Sequence, residues 1–168
     1  LSLKEGEKIQ IVAASGRGKT SFIHFLYGLR NDYKGSIKIN EQSINKMDAE
    51  ALSKLRSKEF SIQFQDLRLF PEHTGRENIQ VKKSLVPFTN SVSVDDMAKH
   101  LGVANKLDQP VQLCSYGEQQ RIALIRCLQQ PFNFLLLDEP FGHLDEKTGR
   151  KPWNSFCNKL LKEKQVLF

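Results

Sequence analysis

The sequence predicts an α/β fold with a central, mainly parallel sheet. Short apolar segments alternate along the chain with segments in which apolar residues recur at helical spacing, a pattern typical of a parallel sheet covered by helices. Residues 134–137 read Phe-Leu-Leu-Leu, and continuous apolarity is typical of a strand buried on both faces. A glycine-rich loop joins the first apolar segment to the first helical segment. These three observations define the fold class.

The predicted elements follow one another in order. We predict strands over residues 8–14, 35–40, 60–65 and 134–137. The second and third have an alternating pattern, and the second is expected to be half exposed. Helical spacing predicts helices over residues 20–29, 48–57, 76–85, 94–101 and 119–128. Ser93 and Asp96 form a capping-box pattern at the start of the fourth helix, and Gly102 ends it. Residues 165–168 read as the start of a further buried strand, so we expect a sequence cut at both ends.

Composition limits the classes of protein. The 168 residues suffice for one domain with its own core. The net charge of +6 comes from lysines spread from Lys4 to Lys164, which indicates a solvated surface and no nucleic-acid partner. No apolar run reaches the roughly 20 residues of a membrane helix, so membrane association would require a partner. Three cysteines without metal-type spacing fit a reducing, cytoplasmic environment.

The glycine-rich loop has the pattern of a phosphate-binding P-loop. It consists of Ala13, Ala14, Ser15, Gly16, Arg17, Gly18, Lys19 and Thr20. Its position between a strand and a helix lets several backbone N–H groups and the helix N-terminus face one phosphate. Lys19 would neutralise the β- and γ-phosphate oxygens, and Thr20 would offer a hydroxyl to Mg²⁺. Ala13 replaces the usual first glycine, so weaker binding is expected.

Two carboxylates follow the apolar strand of residues 134–137. Asp138, nearer the strand, would hold Mg²⁺ directly or through water. Glu139 would polarise the attacking water as a general base. An apolar run that ends in Asp-Glu is weak evidence for catalytic carboxylates by itself, but the evidence is much stronger when the same chain has a P-loop.

A glutamine follows the predicted strand over residues 60–65. The neutral amide of Gln65 can bind both water and Mg²⁺, so it could sense the γ-phosphate. We therefore predict a catalytic and metal-binding role for Gln65.

A second glycine-bearing turn opens the helix that precedes the acidic pair. Ser115 can cap this helix with Glu118 as its capping-box partner. The helix N-terminus can then offer backbone N–H groups to a phosphate from outside the chain. Ser115, Gly117 and Glu118 are therefore predicted to contact nucleotide.

These four motifs, in this order and spacing, resemble the ATP-binding cassette (ABC) ATPases, whose signature is usually written Leu-Ser-Gly-Gly-Gln-x-Gln-Arg. The stretch after Phe64 resembles the family's Q-loop. The compact spacing is also similar to ATPase subunits of the lipoprotein-release and macrolide-export type. Cys114 replaces the usual leucine and Tyr116 the first glycine, which predicts slower hydrolysis.

The resemblance implies a P-loop NTPase core, here residues 1–65 and 121–168, and a small helical subdomain over about residues 66–120. It further implies two ATP–Mg²⁺ held head to tail between two such domains, in a homodimer or heterodimer. Asp145 matches the loop that links the two sites. Transmembrane permease subunits would dock near Gln65 and hold the protein at the inner, cytoplasmic face of the membrane.

The family's adenine-stacking aromatic is expected before Leu1 and its switch histidine after Phe168. The sequence as it stands should therefore bind nucleotide loosely and hydrolyse it slowly.

Three alternatives remain open at this point. A regulatory cassette of the same family would bind ATP with little turnover. An SMC-like DNA-maintenance ATPase would need a long coiled coil between Gln65 and Ser115, where only 49 residues lie. A GTPase would use the Asn-Lys-x-Asp sequence that ends at Asp108, but this follows a predicted helix where a GTPase has a buried strand.

Overall fold

The computed structural model describes residues 2, 7–14, 16–85 and 92–140, together with the backbone of residues 165–167. Ser15 and Asp145 lie outside the described residues. In chain order the elements are β1 (Lys8–Ile9), α1 (Lys19–Leu26), β2 (Lys38–Ile39), β3 (Gln42–Ser43), α2 (Ala49–Lys58), β4 (Phe60–Gln63), α3 (Gly75–Leu85), α4 (Val94–His100), α5 (Tyr116–Cys127), β5 (Phe134–Leu137) and β6 (Gln165–Leu167).

Among the described residues, the central sheet has four strands in the order β1-β6-β5-β4. All three pairings are parallel, and Phe60 of β4 lies opposite Phe134 of β5. The α/β class with a parallel sheet is therefore confirmed. The strand predicted at residues 165–168 is present as β6, between β1 and β5.

Helices cover both faces of the sheet. Leu135 and Leu137 of β5 point into a core shared with α3, α4 and α5, whereas Leu136 points into a second core shared with α1 and the β2–β3 hairpin. All three leucines are buried. Each buried leucine contributes about 1.5–3 kcal/mol relative to exposure, which explains why continuous apolarity predicted this strand correctly.

The strand predicted at residues 60–65 is present as β4, but it is shorter than predicted and more deeply buried than its alternating pattern suggests. The strand ends at Gln63, and its polar residues are not exposed: Ser61 and Gln63 are 1% and 2% exposed. Helix α5 covers them. The Ser61 hydroxyl donates to the carbonyl oxygen of Cys127 at 2.6 Å, and the Gln63 amide lies 3.5 Å from the carbonyl oxygen of Gln120. Helix α5 thus supplies a partner to the Ser61 hydroxyl and to the Gln63 amide nitrogen, whereas the buried Gln63 side-chain oxygen has none among the described residues.

Two other predicted strands are shorter than expected. Regular pairing of the first strand covers only Lys8–Ile9. The second is reduced to Lys38–Ile39, which pairs antiparallel with Gln42–Ser43. Asn40 and Glu41 form the connecting turn with φ of 47° and 65°, the left-handed backbone that a two-residue hairpin turn requires. The sequence did not predict this hairpin because Glu41 stands where glycine is usual.

The five predicted helices are confirmed, with ends within three residues of those expected. Asp48 caps α2 by accepting from the backbone N–H of Ala51 at 2.8 Å, and Ser93 caps α4 by accepting from that of Asp96 at 3.1 Å. Gly102 has φ of 67° just after α4, as expected of a helix-ending glycine. No helix in the described part of the chain combines the length and apolar character needed to cross a membrane.

The Asn-Lys-x-Asp sequence has a structural role. Leu107 is fully buried in the core, and Asp108 accepts a hydrogen bond from Arg76 Nε at 2.8 Å. This Arg76 contact holds the pKa of Asp108 below its usual range. Residues 104–106 form a single 3-10 turn. The segment follows a helix, as the sequence indicated, and nothing in its geometry favours guanine binding.

Asn78 on α3 organises the turn that precedes that helix. Its side-chain oxygen accepts from the backbone N–H of Phe70 at 2.8 Å, and its amide donates to the carbonyl oxygens of Phe70, His73 and Thr74 at 3.0–3.3 Å. Asn78 is fully buried. One side chain therefore gives the Phe70 N–H an acceptor and adds a second donor to three carbonyl oxygens that also accept from backbone N–H groups.

Asn78→Ala should lower the free energy of unfolding by about 2–4 kcal/mol, because the turn loses four hydrogen bonds to a buried side chain. Denaturant unfolding followed by circular dichroism measures this. Asn133→Ala, at an exposed asparagine, is the control and should change stability by less than about 1 kcal/mol. Equal effects of the two substitutions would contradict the role given to Asn78.

Candidate nucleotide site

The predicted site residues meet at one edge of the sheet. Because the strands are parallel, their carboxyl ends share an edge, and ligands bind there in open α/β sheets. The P-loop follows β1, Gln65 follows β4, and Asp138 and Glu139 follow β5. The sequence segments that predicted this site are thus brought together by the sheet.

The P-loop has the backbone that phosphate binding requires. Gly16 and Gly18 have φ of 75° and 85°, and a Cβ at either would meet no atom within 4 Å. Glycine is therefore needed for the left-handed backbone and not for space. Gly18 is the N-cap of α1 and provides no side-chain cap, so the first N–H groups of α1 are available to an anion. Arg17 is exposed beside them.

Lys19 is held close to where phosphate would bind. Its ammonium group donates to the carbonyl oxygen of Ala13 at 2.7 Å and lies 3.5 Å from a carboxylate oxygen of Glu139. Ala13 thus contributes its backbone to the loop. The Lys19 side chain is 22% exposed and that of Glu139 is 41% exposed, so an incoming phosphate can reach the ammonium group.

Thr20 and Asp138 lie together beneath the loop. The Thr20 hydroxyl lies close enough to the Asp138 carboxyl group to influence its pKa, and Asp138 is 3% exposed. Burial raises the pKa of Asp138 above its usual range, although the Thr20 hydroxyl opposes this effect. Oδ2 of Asp138 is buried and has no hydrogen-bond partner among the described residues. A buried carboxylate oxygen without a partner is available to a cation, as the predicted role of Asp138 requires.

The donor set fits Mg²⁺. Thr20, Asp138 and Gln65 offer a hydroxyl, a carboxylate and an amide oxygen, and hard oxygen ligands suit this ion. Within the described ranges, no group of three or more His, Cys, Asp or Glu side chains could hold a metal ion. Mg²⁺ commonly uses one or two carboxylates together with substrate phosphates and water.

Glu139 connects the two halves of the site. One carboxylate oxygen lies near Lys19, and the other accepts from the Gln65 amide at 3.3 Å. The backbone φ of Glu139 is 51°, a conformation uncommon for residues other than glycine. The carbonyl oxygen of Glu139 lies 3.5 Å from the Gln120 amide of α5. Glu139 is thereby held with its carboxylate between Lys19 and Gln65.

A pocket of about 310 Å³ adjoins the site, lined by Thr20, His24, Phe64, Gln65, Asp66, Arg68 and Asp138. No role was predicted for His24, yet its ring packs edge-on against the Phe64 ring at a centroid distance of 5.9 Å. His24 lies four residues after Thr20 on the same face of α1, and this helical spacing could have indicated its position. The Arg68 guanidinium lies 3.5 Å above the Phe64 ring.

The N-terminus of α5 has the predicted capping box. The Ser115 hydroxyl accepts from the Glu118 N–H at 3.4 Å, and Glu118 Oε2 accepts from the Ser115 N–H at 2.8 Å. This backbone hydrogen bond lowers the pKa of Glu118, and Lys106 pairs with the same carboxylate at 3.5 Å. The structure therefore places Glu118 within the cap. Gly117 lies in the first turn of α5.

The two unusual residues beside Ser115 have different surroundings. Cys114 is 6% exposed and packs in the apolar core, so it occupies a position suited to the usual leucine. Tyr116 is 40% exposed, and its hydroxyl donates to the carbonyl oxygen of Gln65 at 2.8 Å. Sequence reasoning missed this contact, because 51 residues separate the two.

A glycine-rich loop at a helix N-terminus, with a lysine, a hydroxyl and an acidic pair beside it, defines a P-loop nucleotide hydrolase. Comparisons with known proteins give its family. The ABC transporter family model matches residues 1–142. The chain is 37% identical over 155 residues to the uncharacterized ABC transporter ATP-binding protein YbbA of Escherichia coli K12, covering 90% of this chain and 68% of YbbA. The chain belongs to the ABC transporter family, as one of its ATPase cassettes.

Other relatives agree. Identity is 34% over 153 residues with the lipoprotein-releasing system ATP-binding protein LolD of Acinetobacter baylyi, covering 89% of this chain and 67% of LolD. It is 32% over 152 residues with the macrolide export ATP-binding/permease protein MacB of Nitrosomonas europaea, covering 89% of this chain and 23% of MacB. The similarity to these two types is confirmed.

Solved structures show the same fold. The dimeric structure of MJ0796, a bacterial ABC transporter cassette, superposes with a TM-score of 0.83 at 26% identity, covering 99% of this chain and 76% of that one. A post-hydrolysis dimer of MJ0796 bound to ADP and Pi gives a TM-score of 0.78 at 29% identity, with the same coverage.

Proposed function

We propose that this chain binds ATP–Mg²⁺ and hydrolyses it to drive a membrane transporter, working as one of two paired cassettes. The observation that carries the proposal is the convergence of Lys19, Thr20, Gln65, Asp138 and Glu139 at the carboxyl edge of the sheet. Together they supply a phosphate cation, oxygen ligands for Mg²⁺ and a carboxylate base. The names of LolD and MacB, which refer to lipoprotein release and macrolide export, support a transport role.

Each residue has a separate task in this proposal. The P-loop N–H groups and Lys19 bind the β- and γ-phosphates. Thr20, Asp138 and Gln65 would hold Mg²⁺, which supplies charge stabilisation to the phosphates. Glu139 accepts a proton from the attacking water. When a phosphate binds Lys19, the Glu139 carboxylate loses its contact with the Lys19 ammonium group and binds the attacking water instead. The Gln65 amide stays within hydrogen-bond distance of the Glu139 carboxylate.

The second half of each site would come from the other cassette. Ser115 and Gly117 at the α5 N-terminus would face the partner's γ-phosphate, where the helix dipole favours negative charge. Asp145 would link the two sites. The dimeric MJ0796 cassettes support this pairing. Permease subunits docked near Gln65 would hold the protein at the cytoplasmic face of the membrane, and the pair can be a homodimer or a heterodimer.

We also propose that the chain is divided into a core and a small helical subdomain. Helices α3 and α4 would form most of the subdomain, together with the N-terminal end of α5. The proposed boundary at residues 120 and 121 falls inside α5, so this helix would span both parts.

Phosphate release tests the proposed function. The protein assembled with its membrane partner should release phosphate from ATP at a rate on the order of 1–10 per second. Chelation of Mg²⁺ should abolish this release, and the same assembly without ATP is the background control. Binding of ATP without release above background would instead support the regulatory cassette and exclude the proposed turnover.

A further inference from the structure

A tyrosine connects the start of α5 to the loop that carries Gln65. Tyr116 is the first residue of α5, and its hydroxyl donates to the Gln65 carbonyl oxygen at 2.8 Å. The side chain of the same Gln65 reaches Glu139 at 3.3 Å. Helix α5 thus holds the backbone of Gln65, while the side-chain amide of Gln65 holds the carboxylate of Glu139.

The loop itself needs support from outside. Leu67 and Arg68 have φ of 56° and 49°, and two successive left-handed residues are costly for side chains with a Cβ. The Arg126 guanidinium donates to the carbonyl oxygens of both, at 2.6 Å in the case of Arg68. Helix α5 therefore holds the loop at two points, Tyr116 near its start and Arg126 near its end.

The surroundings of Tyr116 keep its hydroxyl protonated, so that it can donate a hydrogen bond. Partial burial raises the pKa of Tyr116 above its usual range, and the negative charges of Asp66 and Glu139 raise it further. The phenol is therefore protonated throughout the neutral range and can donate to a carbonyl oxygen, whereas a phenolate could not. The same Asp66 carboxylate pairs with Arg68 at 3.4 Å.

We propose that Tyr116 is a positioning residue for hydrolysis, which fixes the Gln65 backbone so that the Gln65 amide aligns the Glu139 carboxylate. A displacement of the α5 N-terminus is then transmitted to the catalytic carboxylate of the same chain through one hydrogen bond. The inference rests on the proposed function, since it assigns a step in ATP hydrolysis. A glycine at this position could not make the contact, because the hydrogen bond requires the side chain.

A double-mutant cycle tests the inference in the protein assembled with its membrane partner. Tyr116→Phe removes only the hydroxyl and should lower kcat about three- to tenfold, the loss expected for one neutral hydrogen bond. KM for ATP should stay within about twofold, because the P-loop is untouched. With Gln65→Ala already present, Tyr116→Phe should cause no further loss, since Tyr116 acts through Gln65.

Tyr33→Phe is the matched control. The Tyr33 hydroxyl also donates to a neutral oxygen, that of Asn45, but lies outside the proposed machinery, so kcat should not change. Equal losses from Tyr116→Phe with and without Gln65→Ala would overturn the inference, as would an unchanged kcat in the single variant.

A measurement without turnover separates the inference from the proposed function. Amide hydrogen exchange of residues 64–68 should be several-fold faster in Tyr116→Phe than in the wild type or in Tyr33→Phe. If the wild type releases no phosphate, the proposed function fails and the exchange comparison decides whether the loop is held by Tyr116. Unchanged exchange would overturn the inference whatever the turnover.

Discussion

Lys19→Ala is expected to reduce ATP affinity by at least about a hundredfold, equivalent to about 2.7 kcal/mol. The ammonium group lies 2.7 Å from the Ala13 carbonyl oxygen and 3.5 Å from Glu139. Its removal takes away the cation that would pair with the β- and γ-phosphates. It also leaves the Glu139 carboxylate without that cation, so negative charge would repel the phosphates.

Titration of a fluorescent ATP analogue measures this loss. Lys54→Ala removes an exposed lysine on α2 and should leave affinity unchanged, which controls for the general loss of positive charge. Both variants should unfold at the wild-type temperature within a few degrees, because neither lysine is buried in the core. Micromolar affinity retained in Lys19→Ala would refute the assignment of the P-loop.

Glu139→Gln should lower turnover by about 10²–10⁴-fold, the range typical of a lost general base. The amide has nearly the shape of the carboxylate but cannot accept the proton of the attacking water. ATP affinity should be retained or increased, because the substitution removes a negative charge 3.5 Å from Lys19. Binding without hydrolysis should then trap two cassettes around two ATP molecules.

Light scattering coupled to size-exclusion chromatography would show the trapped dimer, and phosphate release would show the lost turnover. Glu50→Gln, on the exposed surface of α2, is the matched control and should behave as the wild type. Normal turnover in Glu139→Gln would exclude Glu139 as the base. Lost turnover without a dimer would instead contradict the proposed pairing of cassettes.

The sequence predicted the features that depend on local pattern. The P-loop, the buried strand Phe134–Leu137 and the capping box at Ser115 each depend on residues close together in the chain. Such patterns reflect backbone conformation and burial, which operate within a few residues. The order of motifs also sufficed to identify the family.

Features that depend on partners far apart in the chain were not predicted from the sequence. The burial of Ser61 and Gln63 was not predicted, because their partners Cys127 and Gln120 lie 66 and 57 residues away. The contact of Tyr116 with Gln65 was missed for the same reason, and the sequence showed Tyr116 only as a replacement for glycine. A side chain's hydrogen-bond partner across the fold has no local signal, so periodicity cannot reveal it.

The left-handed backbone at Glu139 lowers the stability of the protein at a residue that is proposed to be needed for activity. A glycine there would adopt φ of 51° without strain, but it would have no carboxylate. Relief of such strain is worth roughly 1–3 kcal/mol. Directed evolution of this chain for heat resistance alone would therefore be expected to select Glu139→Gly. If Glu139 is the general base, as proposed, such variants would be more stable and would not hydrolyse ATP.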